Sequence, residues 1–371
     1  MTTSFIIGDL LTGRRIQTLN VTTGSWTDTL NAAGNVSCEV SLRDPVNRGL
    51  GLFSSAAVGK SFLAAVDGNT ILQAGPIWAH DYDRDSQSLK LTAAGMWSYF
   101  DHRVLLPILA GRLPTDPTTN SSYTTSYQGM VRNLVAQAQT ASNGNVPVIL
   151  PAEITGTFVR NYLGSDLGFV GGRISELTQL QGGPDVKFSP QFTSDMLGVQ
   201  WALLVGTPTQ PLLFSPLDVV FKPTAALTSI SALKVNADGT SLASRAFGAG
   251  GRTADVVVET VSIDTTLLNA GYPLLEAVDS SHATVSDTAT MQKYSDELVL
   301  RGKVPIQTWS FTHDASLAAP LIGTFSSGDF GKTRVHGDPY IPDGEYRLRI
   351  TQISGNEIGR KLDITFQPQV N

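Results

Sequence analysis

Apolar and polar residues alternate in short runs over the first hundred positions, and each run is closed by residues that favour turns. Val36, Cys38, Val40 and Leu42 occupy every second position of an otherwise polar stretch, which is the period of a strand with one buried face. Upstream, Phe5 to Ile7, Arg15 to Val21 and Trp26 to Leu30 read as strands, and Asn31-Ala32-Ala33-Gly34-Asn35 has turn chemistry. Downstream, Gly59-Lys60-Ser61 leads into Phe62 to Val66, and Ile71 to Trp78 follows Asp67-Gly68. That pair tolerates the left-handed backbone of a tight hairpin. Ala79 to Tyr82 and Leu89 to Thr92 complete a meander, and such regular short strands predict a sandwich or small barrel.

From about residue 101 the period changes. Residues 114–126 are a polar loop rich in Pro and Thr, after which Tyr127, Met130, Val131, Leu134, Val135 and Ala138 recur at helical spacing. Ser126 is placed to cap that helix, and Asn143-Gly144-Asn145 to end it. A second helix is predicted over about 172–181 through Ile174, Leu177 and Leu180, followed by strands near 186–192 and 196–205. Strand character returns over 226–263, clearest from Ala254 to Val261. Ser286 or Asp287 would cap a third helix through Ala289, Tyr294, Leu298 and Leu300, stopped by Gly302 and Pro305. Ile306 to Thr312, Thr333 to His336, Tyr346 to Ile353 and Lys361 to Phe366 form a closing meander.

The two β regions share an order of features. Gly59-Lys60-Ser61, Asp67-Gly68, Ile77 and Leu89-Lys90-Leu91-Thr92 parallel Gly331-Lys332-Thr333, Asp343-Gly344, Ile353 and Leu362-Asp363-Ile364-Thr365. Gly59 and Leu91 lie 32 positions apart and Gly331 and Ile364 lie 33 apart. An internal duplication is the expectation. The fold class is therefore mainly β with an α+β insertion: two similar tube-like antiparallel β-barrels flanking or enclosing an α+β section. The expected boundaries are 1–105 for the first barrel, 106–225 for the middle domain, and 226–262 with 303–371 for the second barrel. Residues 263–302 read as a helical insertion associated with the middle domain.

Composition narrows the class further. Of 371 residues only 16% are charged, against about 25% in an ordinary soluble domain. Thr is frequent at 38 residues, Gly and Pro contribute 35 and 19, and Lys is scarce at 9 against 17 Arg. With 41% hydrophobic residues and a net charge of −6, the chain is neither disordered nor shaped to seek polyanions. The opening MTTSFIIGDLLTGRR holds Asp9 within its apolar run and lacks a basic leader, so a signal peptide is not expected. The strongest apolar stretch, Trp201 to Val205, is too short to span a bilayer. Synthesis in a cytoplasm without membrane anchoring follows as the expectation. The single cysteine, Cys38, excludes an intramolecular disulfide and a multi-cysteine zinc site, and reads as a buried strand residue.

Candidate chemistry is sparse. His80, His102, His282, His313 and His336 form no metal-ligating spacing. Asp81, Asp83 and Asp85 alternate like the first half of a calcium loop, but Ser86 replaces the sharp-turn Gly and Thr92 the bidentate Glu. A water-exposed hairpin tip explains them. Gly248-Ala249-Gly250-Gly251-Arg252 and Gly171-Gly172-Arg173 lack the frame of a phosphate cradle and read as loop or bulge glycines. Glu153, Glu176, Glu259 and Glu276 are the acids from which a glycosidase pair would have to come, and spacing singles out none. No G-x-S-x-G elbow occurs. The basic residues are dispersed, unlike a nucleic-acid surface, and Arg347 with Arg349 on one strand face reads as an interface ion-pair site. No catalytic, cofactor-binding or metal residue is assigned, and no cofactor is expected.

Taken in order, several segments resemble the minor tail or baseplate hub (tail-tip hub) proteins of long-tailed phages, especially those of actinobacteria. They are Gly59-Lys60 and Asp67-Gly68 in the opening meander and Arg245-Ala246-Phe247-Gly248-Ala249-Gly250-Gly251-Arg252. The helix near 287–300, Trp309, Gly328-Asp329-Phe330, and Pro342-Asp343-Gly344 before Arg347-Leu348-Arg349-Ile350 complete the series. The resemblance implies two tube-like barrels per chain and a homotrimer whose six barrels form a ring. That ring joins the six-fold tail tube to a three-fold tip. Implied partners are the distal tail ring protein, the tape-measure end and other tail-tip or fibre proteins, with genome DNA only passing through; the implied location is the tail tip of the virion. Because the chain ends at Asn371, soon after the second barrel, an attached lytic or receptor domain is not expected. The alternatives are a phage-associated cell-wall or polysaccharide hydrolase, and a receptor- or carbohydrate-binding β-module.

Overall fold

The computed structural model describes residues 3–107, 113–221, 223–224, 227–228, 230–253, 256–282, 285, 287–317, 319–357 and 360–368. Thirteen of its strands belong to one large sheet. From one edge it runs Ile230–Asp238, Ile306–Asp314, Lys361–Gln367, Gly344–Asn356, Val21–Thr29 and Asn35–Ser41. It continues through Ser88–Ala94, Thr70–Asp83, Ser61–Asp67 and Ser4–Asp9 to the other edge, Arg15–Leu19. Phe330–Val335 branches from Gly344–Asn356 and pairs in parallel with Val219–Phe221. The fold is mainly β, as the alternation predicts.

Closed barrels are not what the described strands form. Val21–Thr29 pairs on one side with Asn35–Ser41 and, over Ser25–Thr29, on the other with Gly344–Asn356, so that over this half neither edge is left to close a tube with Arg15–Leu19. The long strand Gly344–Asn356 divides one of its own edges in the same way. Its first half pairs with Phe330–Val335 and its second with Val21–Thr29. The two β regions are thus joined through hydrogen bonds that closure of either would need.

Both meanders compared in the sequence exist as antiparallel three-stranded sets, but their Asp-Gly pairs differ. Gly68 has φ +59° and turns a tight hairpin between Asp67 and Thr70. Gly344 instead begins a strand opposite Val335, and the intervening loop is held by Asp343, whose carboxylate accepts the Gly337 N–H at 2.6 Å.

Helix signals translate closely. Ser126 caps Tyr127–Ala138 by accepting the Gly129 N–H at 3.0 Å, and Asp287 caps Thr288–Gly302 by accepting the Thr290 N–H at 2.7 Å. Ser286, Ala254 and Asp255 lie outside the described residues. The second helix is Val170–Thr178, starting slightly early. The Thr-rich stretch expected as loop contains the strand Ser121–Thr125, created by pairing with Phe158–Tyr162. Of the segment assigned to a second barrel, Ile230–Asp238 joins the large sheet. Arg245–Thr253 and Val256–Ile263 instead join Glu276–Asp279 in a separate three-stranded sheet, and Gly248 and Gly250 of the first let the helix Thr288–Gly302 approach one face.

Two apolar cores flank the strands Ser4–Asp9 and Ser61–Asp67. Ile6, Phe62 and Ala64 face the first core with Trp97, Phe100, Leu134, Ile174, Phe188 and Trp201. Phe5, Ile7, Leu63 and Ala65 face the second with Trp26, Leu91, Phe221, Phe311, Ile350 and Phe366. Burial on both faces explains why these strands read as continuous apolar runs instead of alternating. Phe221 is the hub of the second core, with the rings of Phe311, Phe325 and Phe366 at 5.2, 5.7 and 5.8 Å. Phe221→Ala is expected to cost about 3–5 kcal/mol of stability, measured by denaturant unfolding; a change within experimental error would show that this ring cluster is not what joins the strands.

Candidate functional site: buried ionic seams around the middle segment

The residues weighed for chemistry are spread over the fold and engaged locally. His80 Nε2 meets the Ala56 carbonyl, His102 packs on Trp78, and buried His313 meets the Pro320 carbonyl at 2.9 Å. His336 pairs with Asp343 at 2.5 Å. Asp83 lies at an exposed hairpin tip and accepts the Asp85 N–H, which together with a hydrogen bond to Ser86 holds its carboxyl below the usual range. Burial pushes the Cys38 thiol up to about 12, as suits a strand residue facing the core. Glu153 accepts from Thr125 and Asn133, Glu276 pairs with Arg245, and Glu259 is exposed. Gly171 lies in a helix against Asp101, where a Cβ would sit 2.0 Å from its carboxylate oxygen. Gly250 and Gly251 fall within a bulge between Ala249 and Arg252.

The polar groups that do converge lie where residues 185–218 meet both β regions. Asp28 is buried, and its carboxylate receives Lys187 Nζ at 2.6 Å and the Ser327 N–H at 3.0 Å. Asp185, also buried, accepts from Asn31 Nδ2 at 2.9 Å, from the Leu213 N–H at 2.8 Å and from Arg349 Nη2. Asp329 accepts the Ser215 N–H at 2.7 Å and the Ser326 N–H at 2.8 Å. Asp218 receives two bonds of 2.9 Å from Arg347 and lies 3.0 Å from Lys332 Nζ, contacts that hold its carboxyl below the usual range, led by the Arg347 hydrogen bond. Arg347 and Arg349 are ion-paired, but with acids of their own chain rather than across an interface between chains. Sequence reasoning missed their acids. The available signal was a lone Asp set between apolar or turn residues, as in Pro184-Asp185-Val186 and Leu217-Asp218-Val219.

Breaking such a pair leaves one charge desolvated, which costs more than the pair itself contributes. Arg349→Met is expected to destabilise by about 3–5 kcal/mol, with partial recovery when Asp185→Asn is added. Equal loss in the single and double variants, read from urea unfolding, would contradict a coupled pair.

A second cluster ties the helix Thr288–Gly302 to the middle segment. Buried Arg160 donates to Tyr294 Oη at 2.6 Å and lies 3.6 Å from the Glu176 carboxylate. Tyr294 donates to the Glu176 carbonyl at 3.2 Å, and Arg173 holds Glu176 at 2.7 Å and Asp166 at 3.5 Å. His282 stacks on the Tyr294 ring at 3.6 Å and meets Asp279 at 3.1 Å through Nε2; its Nδ1 is buried with no hydrogen-bond partner among the described residues. Burial lowers the His282 pKa; Asp279 and Glu176 oppose that shift, while Arg160 and Arg173 reinforce it. A histidine whose folded pKa is depressed contributes stability above its unfolded value, and that contribution fades as pH falls toward the folded pKa. The unfolding midpoint is expected to drop between about pH 7 and 5, and less in His282→Gln; parallel curves for both proteins would remove His282 as the cause.

Concave space is limited among the most prominent pockets. The larger holds about 240 Å³ beside Thr23, Cys38 and Lys90, and a second about 180 Å³ between Trp26, Lys187 and Phe325. Ligand clefts commonly reach about 300–1,000 Å³. Among the described residues there is no cluster of three metal-ligating side chains and no helix long and apolar enough to cross a membrane.

No family model and no curated protein matches this chain. Its fold, however, matches solved structures over nearly the whole length. The 43 kDa tail protein of prophage MuSo2 from Shewanella oneidensis superposes with a TM-score of 0.58 at 11% identity, covering 98% of each chain. A tail protein from Neisseria meningitidis MC58 gives 0.54 at 12% identity, over 99% of this chain and 96% of its own. Prophage tail protein gp18 from Listeria monocytogenes EGD-e gives 0.51 at 12% identity, over 99% and 95%. The fold is thus one used by phage tail proteins.

Proposed function

We propose that this chain is a structural, non-enzymatic component of a phage tail, serving as the hub of the tail tip or baseplate. The observation that carries this reading is the fold shared with three tail proteins from end to end, rather than over one module. In this reading three copies form a ring in the virion, each contributing two similar β regions, so that a three-fold assembly offers six comparable units to a six-fold tube. The single sheet running through both regions supports it, because an adaptor must hold its two units at a fixed angle. The buried seams at Asp28 and Asp185 support it for the same reason. Tubes would be completed between copies through Arg15–Leu19 and Ile230–Asp238, the outer strands of the large sheet among the described residues. The partners proposed are the distal tail ring protein, the tape-measure end and further tip or fibre proteins. The Thr-rich, Lys-poor composition agrees with a high-GC genome, as in the actinobacterial phages whose hub proteins the sequence resembles. DNA would pass through a lumen whose acidic lining avoids the Lys and Arg contacts that create affinity for phosphate.

The purified chain is expected to run at three times 39.5 kDa by light scattering and to occupy the tail tip in electron cryo-microscopy of intact particles. A monomer at micromolar concentration, missing from the tip, would overturn the hub.

A further inference from the structure

The chain leaves the large sheet at Asp238 and re-enters it at Ile306, residues that face each other in register. Between them lie the separate three-stranded sheet and the helix Thr288–Gly302 against one of its faces, together an arm resting on the middle segment. The entering and leaving chains run side by side. The Ala243 N–H donates to the Gly302 carbonyl at 3.0 Å, and a Cβ on Gly302 would stand 2.8 Å from the Ala243 nitrogen. Among the described residues no strand of this separate sheet pairs outside it. A body held by one such neck can turn about it without breaking a sheet hydrogen bond, which is the geometry of a hinge.

Side chains hold the arm down. The Tyr294 hydroxyl joins Arg160 to the Glu176 carbonyl. Lys293 Nζ donates to Tyr127 Oη at 2.6 Å and stands 4.1 Å from the centre of the Phe158 ring, which is stacked on Tyr127. This joint is incompletely satisfied. Arg160 Nε, Glu176 Oε2 and His282 Nδ1 are buried with no hydrogen-bond partner among the described residues. At the seams of Asp28 and Asp185, by contrast, each carboxylate accepts a main-chain N–H as well as a cation. A buried network with unpaired members is the weaker joint of the two.

We infer that the arm is a hinged unit, and that it undocks from the middle segment when His282 takes up a proton. His282 lies in the joint, stacked on Tyr294. Its own arm supplies Asp279 at 3.1 Å, while the middle segment sets Arg160, Arg173 and Glu176 around it, with Asp166 paired to Arg173. Asp279 travels with His282, and the two guanidinium groups stay behind. Undocking therefore lets an imidazolium keep its carboxylate, gain water and leave two like charges, losing only Glu176. Burial, reinforced by Arg160 and Arg173, holds the docked pKa below the ordinary value. Docking is thus favoured at neutral pH and loses ground as pH falls toward that depressed pKa. The inference goes beyond the hub reading and does not depend on it.

Pulsed electron spin resonance on the full-length chain tests it, with labels at Val278→Cys on the arm and Leu204→Cys on the middle segment. Both positions are exposed, and Cys38 is buried away from the label. Dilution with unlabelled chain ensures that only distances within one chain are read. One distance is expected at about pH 7.5, and a second is expected to grow severalfold by about pH 5.5, with circular dichroism unchanged. His282→Gln is expected to abolish that growth. Tyr294→Phe keeps the ring but removes the shared hydroxyl, and is expected to open the arm at both pH values. Should it fail to fold, Lys293→Ala is read in its place with the same expectation. A single distance throughout, in the variants as in the wild type, overturns the hinge. A wild-type opening that His282→Gln leaves intact overturns the proton-driven release.

Discussion

Everything in this fold hangs on the pairing of Ser25–Thr29 with Gln352–Asn356. It converts two β meanders into one sheet and lets a single apolar core form between them. The pairing depends on a close approach at its centre. Gly355 lies over Trp26, where a side chain would stand 3.0 Å from the indole, so the buried ring fills space that any other residue would contest. Reciprocal hydrogen bonds then close the end of the ladder: the Glu357 N–H reaches the Gly24 carbonyl at 3.1 Å, and the Glu357 carboxylate accepts the Gly24 N–H at 2.6 Å.

The middle segment is fastened to this sheet by different physics. Its apolar helices and strands share a core with Ile6 and Phe62, a contact that hydrophobic burial drives without specifying direction. Direction comes from the buried acids. Asp28 and Asp185 each satisfy groups from segments far apart in sequence, and desolvation makes every other arrangement of those charges costly. Carboxylates of this kind fix geometry more than they add stability. That suits a protein proposed to transmit position between neighbours.

Much of the fold was legible in the chain. The caps at Ser126 and Asp287, the Asp67-Gly68 hairpin and the alternation around Cys38 are local signals, and local signals survive into the structure. What was hidden is long-range. No pattern near Val21–Thr29 announces that its second partner lies at Gly344–Asn356, so two separate barrels were the natural expectation. The equivalence drawn for Asp343-Gly344 failed because the dipeptide permits a tight turn without requiring one. The candidate site was less legible still. Asp185 and Asp218 are isolated acids in sequence and become partners of Arg349 and Arg347 only when distant strands meet.

The joined sheet also dictates an order of events during synthesis. Thr29 and Gln352 are 323 positions apart (352 − 29), so the first β region leaves the ribosome long before its partner exists. Until then Val21–Thr29 presents an unpaired edge, and Trp26 has no core to enter. Topologies dominated by such distant contacts fold slowly and expose aggregation-prone edges meanwhile. A nascent chain of this design therefore has reason to need a chaperone, and a truncation near its C-terminus would disable its first strands as surely as its last.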